Sequence, residues 1–103
     1  MKASRAPTME DLLSRREQII QIAASHGASN VRVFGSVVRS QARPDSDVDF
    51  LVDIQTDRRG FEFFSVLEDL RRDLEALLGW PVDVGEAVQS FAREKVEREM
   101  LPL

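Results

Sequence analysis

The sequence predicts an α+β domain, an α/β sandwich in which a small three-stranded sheet packs against helices. Short apolar runs rich in β-branched residues alternate along the chain with longer amphipathic stretches, which is the pattern of strands separated by helices. The chain has 103 residues and a hydrophobic fraction of 43%, which suffices for one modest core. We therefore expect a single domain over residues 1–103.

The composition excludes several classes of function. The net charge of −4 gives no general basic surface, so we expect no direct binding of nucleic acid. The chain has no cysteine, which excludes disulfides and thiolate metal sites. No apolar run approaches the ~20 residues that span a membrane, and the first residues do not form a signal peptide. We expect a cytoplasmic protein without membrane contact.

The N-terminal part of the sequence predicts one amphipathic helix. Met1–Pro7 is expected to be frayed or disordered. Thr8 is a suitable N-cap, with Asp11 three residues later in a capping-box position. One helical stripe of apolar residues follows, formed by Leu12, Ile19, Ile20 and Ala23. The helix is expected to end near His26–Gly27.

Two strands flank a polar loop in the middle of the chain. Val31–Phe34 is a short predicted strand that ends at glycine, and Val37–Ser40 is compatible with one helical turn. Residues 41–46 contain a proline and predict a loop. Val48–Ile54 is a second predicted strand, and because its middle residues are apolar on both faces, we expect it to be central in the sheet.

The C-terminal half predicts two helices, a strand and an apolar tail. Phe61–Leu78 carries apolar residues at three- and four-residue spacing, with Phe61, Phe63 and Phe64 expected in the core rather than as a base-stacking platform. Trp80–Val84 predicts a third strand, with Trp80 either in the core or against a partner. A final helix is expected over residues 91–100. The tail, residues 101–103, is either frayed or a docking strip, and the sequence leaves this open.

Two acids at the start of the second strand form the candidate metal site. Asp47 and Asp49 alternate with a valine, so their side chains share one face, with Cα atoms about 6–7 Å apart. Carboxylates at this spacing can hold one cation, or one each of two cations. Ligands that are all oxygen favour Mg²⁺ or Mn²⁺ over zinc. Asp83 would supply a third carboxylate if its strand pairs beside the second.

Gly35 and Ser36 form the candidate phosphate site. A glycine directly after a strand lets the backbone approach a ligand closely. If Ser36 opens a helical turn, its N–H groups and hydroxyl can receive a phosphate, which Arg39 could also reach. A phosphate cradle that faces metal-binding acids is typical of metal-assisted phosphoryl or nucleotidyl transfer.

The stretch from Phe34 to Val52, F-G-S-V-V-R-S-Q-A-R-P-D-S-D-V-D-F-L-V, resembles the signature of the minimal nucleotidyltransferase (MNT) domains. These belong to the DNA polymerase β-like nucleotidyltransferase superfamily, and the resemblance covers nearly the whole chain. It implies a mixed sheet, ATP as the donor and two Mg²⁺ ions. It also implies an antitoxin role, in which AMP is attached to a tyrosine of a partner HEPN toxin.

The resemblance implies a role for each candidate residue. Gly35 and Ser36 would contact the triphosphate, and we add Arg39 and Ser46 to the nucleotide-binding set. The acids of the second strand would bind metal. Asp83 would lie near the metals, where a base would activate the acceptor hydroxyl. The catalytic and metal-binding set is therefore Asp47, Asp49 and Asp83.

Two departures from the family pattern and two other functions remain open. Ser40 stands where the family often has glycine. Val84, the residue after the third acid, is followed by Gly85–Glu86, where the family often has valine and threonine. The chain could instead be an idle antitoxin that acts by binding alone, or a transferase for a small molecule, although its short length counts against the latter. A homo-oligomer is also compatible with the sequence.

Overall fold

The structure, a computed structural model, describes residues 5–54, 61–86 and 101–103. These residues form a four-stranded sheet with three helices. The helices are α1 (Met9–Ser14), α2 (Arg16–Ser25) and α3 (Phe61–Leu78), and the strands are β1 (Ala28–Phe34), β2 (Val48–Ile54), β3 (Val82–Glu86) and β4 (Leu101–Pro102). The α+β class is confirmed. The predicted loop over residues 55–60 and the predicted helix over residues 91–100 lie outside the described residues.

The sheet is mixed and has the strand order β3-β2-β1-β4. β1 pairs antiparallel with β2 and β4, whereas β2 and β3 run parallel. β2 therefore lies in the interior of the sheet, as its apolar run predicts. Both faces of β2 carry buried side chains. Phe50 and Leu51 point to opposite sides of the sheet and are 0% and 4% exposed.

The tail supplies a fourth strand, so the prediction of three strands is wrong. Leu101 and Pro102 pair with β1, and the N–H of Leu103 donates to the carbonyl of Val31 at 2.9 Å. The guanidinium of Arg16 donates to the carbonyl of Leu103, whose side chain is buried. The tail is therefore not frayed, and it pairs with β1 of the same chain. A strand of two residues is too short to show an alternating pattern in the sequence.

The predicted first helix is divided at Arg15. The N–H of Arg15 donates to the carbonyl of Leu12 at 3.1 Å, a tightened turn that ends α1. The N–H of Ile19 then returns to the carbonyl of Arg15 at 3.0 Å within α2. The capping box of Thr8 and Asp11 is confirmed. Leu12 and Ile19 are both fully buried, so one apolar stripe continues across the break.

Arg5 and Pro7 are anchored, contrary to the expectation that residues 1–7 are frayed. The guanidinium of Arg5 pairs with Asp11 at 2.6 Å, and Pro7 is buried. The indole N–H of Trp80 donates to the carbonyl of Arg5 at 2.8 Å. Trp80 is 7% exposed and belongs to the core, which decides between its two predicted positions. Residues 1–4 lie outside the described part of the chain.

Successive side chains of β2 point alternately to the core and to the opposite face of the sheet, where the candidate site lies. Side chains on one face of the sheet join the helices in a single core, to which Val33, Val48, Phe50, Val52, Leu70 and Leu74 contribute. Asp49 and Asp53 occupy the intervening positions of β2 and so point to the opposite face. No helix among the described residues is long and apolar enough to cross a membrane.

Candidate active site

The parallel pairing of β2 and β3 brings two of the predicted acids together. Asp49 lies directly beside Asp83 in the register of these strands, which run about 4.8 Å apart. On the other side of β2, Asp49 is paired with Phe34, the last residue of β1. Asp47 precedes β2 by one residue and is exposed. The sheet therefore gathers the acids where β1 ends and β2 and β3 begin.

Gly35 lies against the carboxylate of Asp49. Its φ is +84°, a conformation that favours glycine. A Cβ atom at this position would come within 2.5 Å of Oδ2 of Asp49. The site therefore requires glycine for two reasons, its backbone conformation and the space taken by the carboxylate. The sequence predicts a glycine that admits a ligand, but not this contact with Asp49.

Residues 35–41 form a hydrogen-bonded turn, in which the bond from Arg39 to Gly35 spans four residues as in a single turn of α-helix, in agreement with the sequence. The N–H of Arg39 donates to the carbonyl of Gly35 at 3.2 Å, and the N–H of Gln41 donates to that of Ser36 at 2.9 Å. Ser40 has a φ of +57°. A left-handed conformation explains why glycine suits this position, and serine adopts it at a cost of about 1 kcal/mol. The departure at Ser40 thus leaves the turn intact.

Arg39 and Ser46 have different relations to the acids. The Nε of Arg39 donates to Oε1 of Gln41 at 3.2 Å, and the positive charge of Arg39 acts to lower the pKa of Asp49. The hydroxyl of Ser46 accepts from the N–H of Arg43 at 2.8 Å, and the N–H of Ser46 donates back to the carbonyl of Arg43 at 2.9 Å. Ser46 therefore closes the loop before Asp47. Its contact with a nucleotide stays a prediction.

Asp49 carries an unfavourable charge. Burial, followed by the carboxylates of Asp83 and Asp47, raises the pKa of Asp49 to about 6, and Arg39 only partly opposes this. Two causes of a raised pKa thus act on one side chain, loss of hydration and repulsion by like charges. A strongly raised pKa of this kind is frequent at functional sites.

The carboxylates of the acids are suitable ligands for a hard cation, although their side chains are not arranged as a complete set of metal ligands. No group of three or more His, Cys, Asp or Glu side chains in residues 5–54, 61–86 and 101–103 is arranged to hold a metal ion. The donors around Asp49 are all carboxylates, the ligands that Mg²⁺ accepts. A cation here would also compensate the repulsion that raises the pKa of Asp49.

Comparison with known proteins identifies the family. The sequence profile of the Nucleotidyltransferase domain matches residues 16–101, which include every candidate site residue. The chain belongs to this family. It is accordingly a nucleotidyltransferase, and the predicted enzyme class is confirmed.

Relatives of this nucleotidyltransferase agree with the assignment. The protein adenylyltransferase MntA of Thermococcus cleftensis is 40% identical over 79 residues, which are 73% of this chain and 74% of the relative. A solved structure described provisionally as a minimal nucleotidyltransferase is 41% identical, with a TM-score of 0.78, and the match covers 94% of this chain and 97% of that one. The predicted resemblance to minimal nucleotidyltransferases is confirmed.

A more distant structure shares the fold alone. It is the crystal structure of a toxin–antitoxin solved with AMP-PNP, at a TM-score of 0.68 and 17% identity. The match covers 84% of this nucleotidyltransferase and 69% of the other chain.

Proposed function

We propose that this nucleotidyltransferase transfers AMP from ATP to a hydroxyl, a tyrosine, of a partner HEPN toxin and thereby acts as an antitoxin. One observation carries the proposal. Asp49 and Asp83 lie side by side in the sheet, with the backbone of Gly35 against Asp49, so that the turn after β1 and two acids meet at one place.

Each side chain has a part in the proposed transfer. The turn from Gly35 to Arg39 receives the triphosphate, with the hydroxyl of Ser36 and the Arg39 charge facing anionic oxygens. Asp83 accepts the proton of the acceptor hydroxyl, whose oxygen then attacks the α-phosphorus of ATP. A new P–O bond joins AMP to the acceptor, the bond to the β-phosphate breaks, and pyrophosphate leaves.

Two Mg²⁺ ions would be held by Asp47, Asp49 and Asp83. When bound, magnesium offsets negative charge on the phosphates and on the attacking oxygen. The carboxylate of Asp49 supports this assignment, because it is half-buried and lies near the like charges of Asp83 and Asp47. Asp47, next to the loop that Ser46 closes, completes the set from the exposed side.

A protein as the acceptor is supported by the relatives. The similar archaeal protein carries the name protein adenylyltransferase, which makes a protein the substrate there. The distant structural neighbour is a toxin–antitoxin bound to AMP-PNP, an analogue of ATP, so this fold occurs together with such a nucleotide and such a partner.

Transfer of label from ATP tests the proposal. The chain is incubated with Mg²⁺, a candidate HEPN partner and ATP labelled on either the α- or the γ-phosphate. We expect the partner to gain the α label only, on a tyrosine that mass spectrometry identifies. The double variant Asp47→Ala/Asp49→Ala should lose transfer by at least a hundredfold, whereas the exposed loop variant Asp45→Ala should keep it.

The same variants separate an enzyme from a binding module. If the double variant still neutralises the toxin in cells as well as the wild type does, the chain acts by masking its partner, and the proposed transfer is not the antitoxin mechanism. Label on the partner that is equal with wild type and double variant would contradict the assignment of the acids. Label from the γ-phosphate would indicate phosphoryl rather than nucleotidyl transfer.

A further inference from the structure

Asp83 lies on a strand that has one strand partner among the described residues. β3 has five residues and lies at the edge of the described sheet, with β2 on one side only. β2, by contrast, is paired on both sides. Edge strands are held less firmly than interior ones because half of their backbone groups lack a strand partner. The outer side of β3 thus needs another contact to keep Asp83 beside Asp49.

One peptide unit at the start of β3 is held from both sides. The carbonyl of Pro81 accepts the N–H of Val48 in β2 at 2.8 Å. Because the N–H of a trans peptide points opposite to its carbonyl, the N–H of Val82 points away from β2. It donates to Oε1 of Glu75 in α3 at 3.0 Å. A side chain of the helix therefore takes the place of an outer strand, one residue before Asp83.

Glu75 is itself fixed by its neighbours. Arg71 pairs with Oε1 of Glu75 at 2.8 Å and makes two hydrogen bonds to Glu68, at 2.6 and 2.9 Å. The backbone carbonyl of Glu75 accepts the N–H of Gly79 at 2.9 Å, where α3 ends. The side chain of Glu75 is 34% exposed, so its ion pair contributes little to stability by itself. Its geometry, in contrast, is closely defined.

We propose that Glu75 is a positioning residue for Asp83: through the Pro81–Val82 peptide it holds the start of β3 in the register that places Asp83 beside Asp49. The inference rests on the role of Asp83 in the proposed function. Glu75 does not reach the reactants in this scheme. It acts through one hydrogen bond to the backbone, and a displacement of about 1 Å at the acceptor side is enough to slow transfer strongly.

Two substitutions distinguish the hydrogen bond from the charge. Glu75→Gln keeps an oxygen that accepts the N–H of Val82, whereas Glu75→Ala removes it. Asp69→Ala, at an exposed acid of the same helix, is the matched control. In amide hydrogen exchange by NMR without nucleotide or partner, we expect Val82 to exchange at least tenfold faster in Glu75→Ala and close to the wild-type rate in the other two variants.

The kinetic test uses transfer from α-labelled ATP to the protein that accepts label in the experiment above. We expect kcat to fall about tenfold in Glu75→Ala, with KM for ATP changed less than twofold, and to stay within threefold of wild type in Glu75→Gln. Wild-type kcat in Glu75→Ala, or equal losses in both variants, would overturn the inference. Transfer by Asp83→Asn at the wild-type rate would instead overturn the proposed role of Asp83.

Discussion

At the turn after β1, Gly35 meets two conditions that no other residue type meets together. Its φ of +84° disfavours side chains, and the space where a Cβ would lie is taken by Oδ2 of Asp49. Gly27, with a φ of +74°, shares the first condition, but a Cβ there would have no heavy atom within 4 Å. Substitutions at Gly27 and Gly35 therefore distinguish the effect of backbone strain alone from the effect of strain combined with a clash against Asp49.

Alanine at these glycines should give different results. Gly35→Ala should lower AMP transfer at least a hundredfold, because the new methyl group displaces the carboxylate of Asp49. Gly27→Ala should keep transfer and lose only about 1 kcal/mol of the free energy of unfolding, the cost of a left-handed alanine. Transfer assays and thermal denaturation measure the two effects. Equal transfer by both variants would show that the contact with Asp49 is not needed.

The neighbours of Asp49 also explain why one part of the site could be predicted and another could not. The alternation of Asp47 and Asp49 and the strand around Asp83 are visible in the sequence, so the acids could be named. The raised pKa of Asp49 depends on burial and on the distance to Asp83, which only the folded sheet defines. The same holds for the contact between Asp49 and Gly35.

Among the elements, those with many periodic residues were predicted well, and short ones were not. α3 and β2 begin and end where the sequence predicts, since each has a continuous apolar pattern. The expectation that Phe64 lies in the core is wrong, because this side chain is 73% exposed. The division of the first helix at Arg15 does not interrupt the stripe of apolar residues along α1 and α2. The sequence pattern therefore does not reveal it. β4 depends on pairing with β1, a contact between residues about 70 positions apart, and local pattern carries no information about it.

The capping box of α1 should show a defined pH dependence. Arg5 and Thr8 lower the pKa of Asp11 to about 2, from an ordinary value of 3.8. Because the folded-state pKa is the lower one, the ionised side chain stabilises the fold above pH 4, and this contribution disappears as the pH falls towards 2. Solvent screening limits it to about 1 kcal/mol.

Asp11→Asn measures this contribution. The variant should unfold at a lower temperature than the wild type at pH 7, and the difference should shrink between pH 4 and pH 2. Asp69→Asn, at an exposed acid of α3, is the control for the loss of one carboxylate and should unfold close to the wild-type temperature at pH 7. A difference for Asp11→Asn that stays constant down to pH 2 would show that the charge of Asp11 is not responsible.

For the whole molecule, the tail connects the end of the chain to the first half of the domain. Leu103 is buried in the common core, its N–H reaches Val31, and its carbonyl accepts from Arg16 of α2. Leu101, two residues earlier, is 43% exposed although it also lies in the pairing with β1. The two leucines therefore differ in burial, although Leu101 lies in β4 and Leu103 directly follows it.

Replacement of the two leucines by alanine should separate burial from pairing. Leu103→Ala should cost about 2 kcal/mol of the free energy of unfolding, the lower end for a buried leucine, because it lies at the margin of the core. Leu101→Ala should cost less than about 0.5 kcal/mol. Urea denaturation followed by circular dichroism measures both. Equal costs would mean that Leu103 is not buried in solution.

The position of β4 has a practical consequence. The strand order puts β4 at the edge of the sheet opposite β3, three strand spacings or about 14 Å from the strand of Asp83. A fluorescent dye, an affinity tag or a surface linker attached after Leu103 would therefore leave from the side away from the acids. Such attachment offers a way to immobilise the protein for single-molecule work with its candidate site facing the solution.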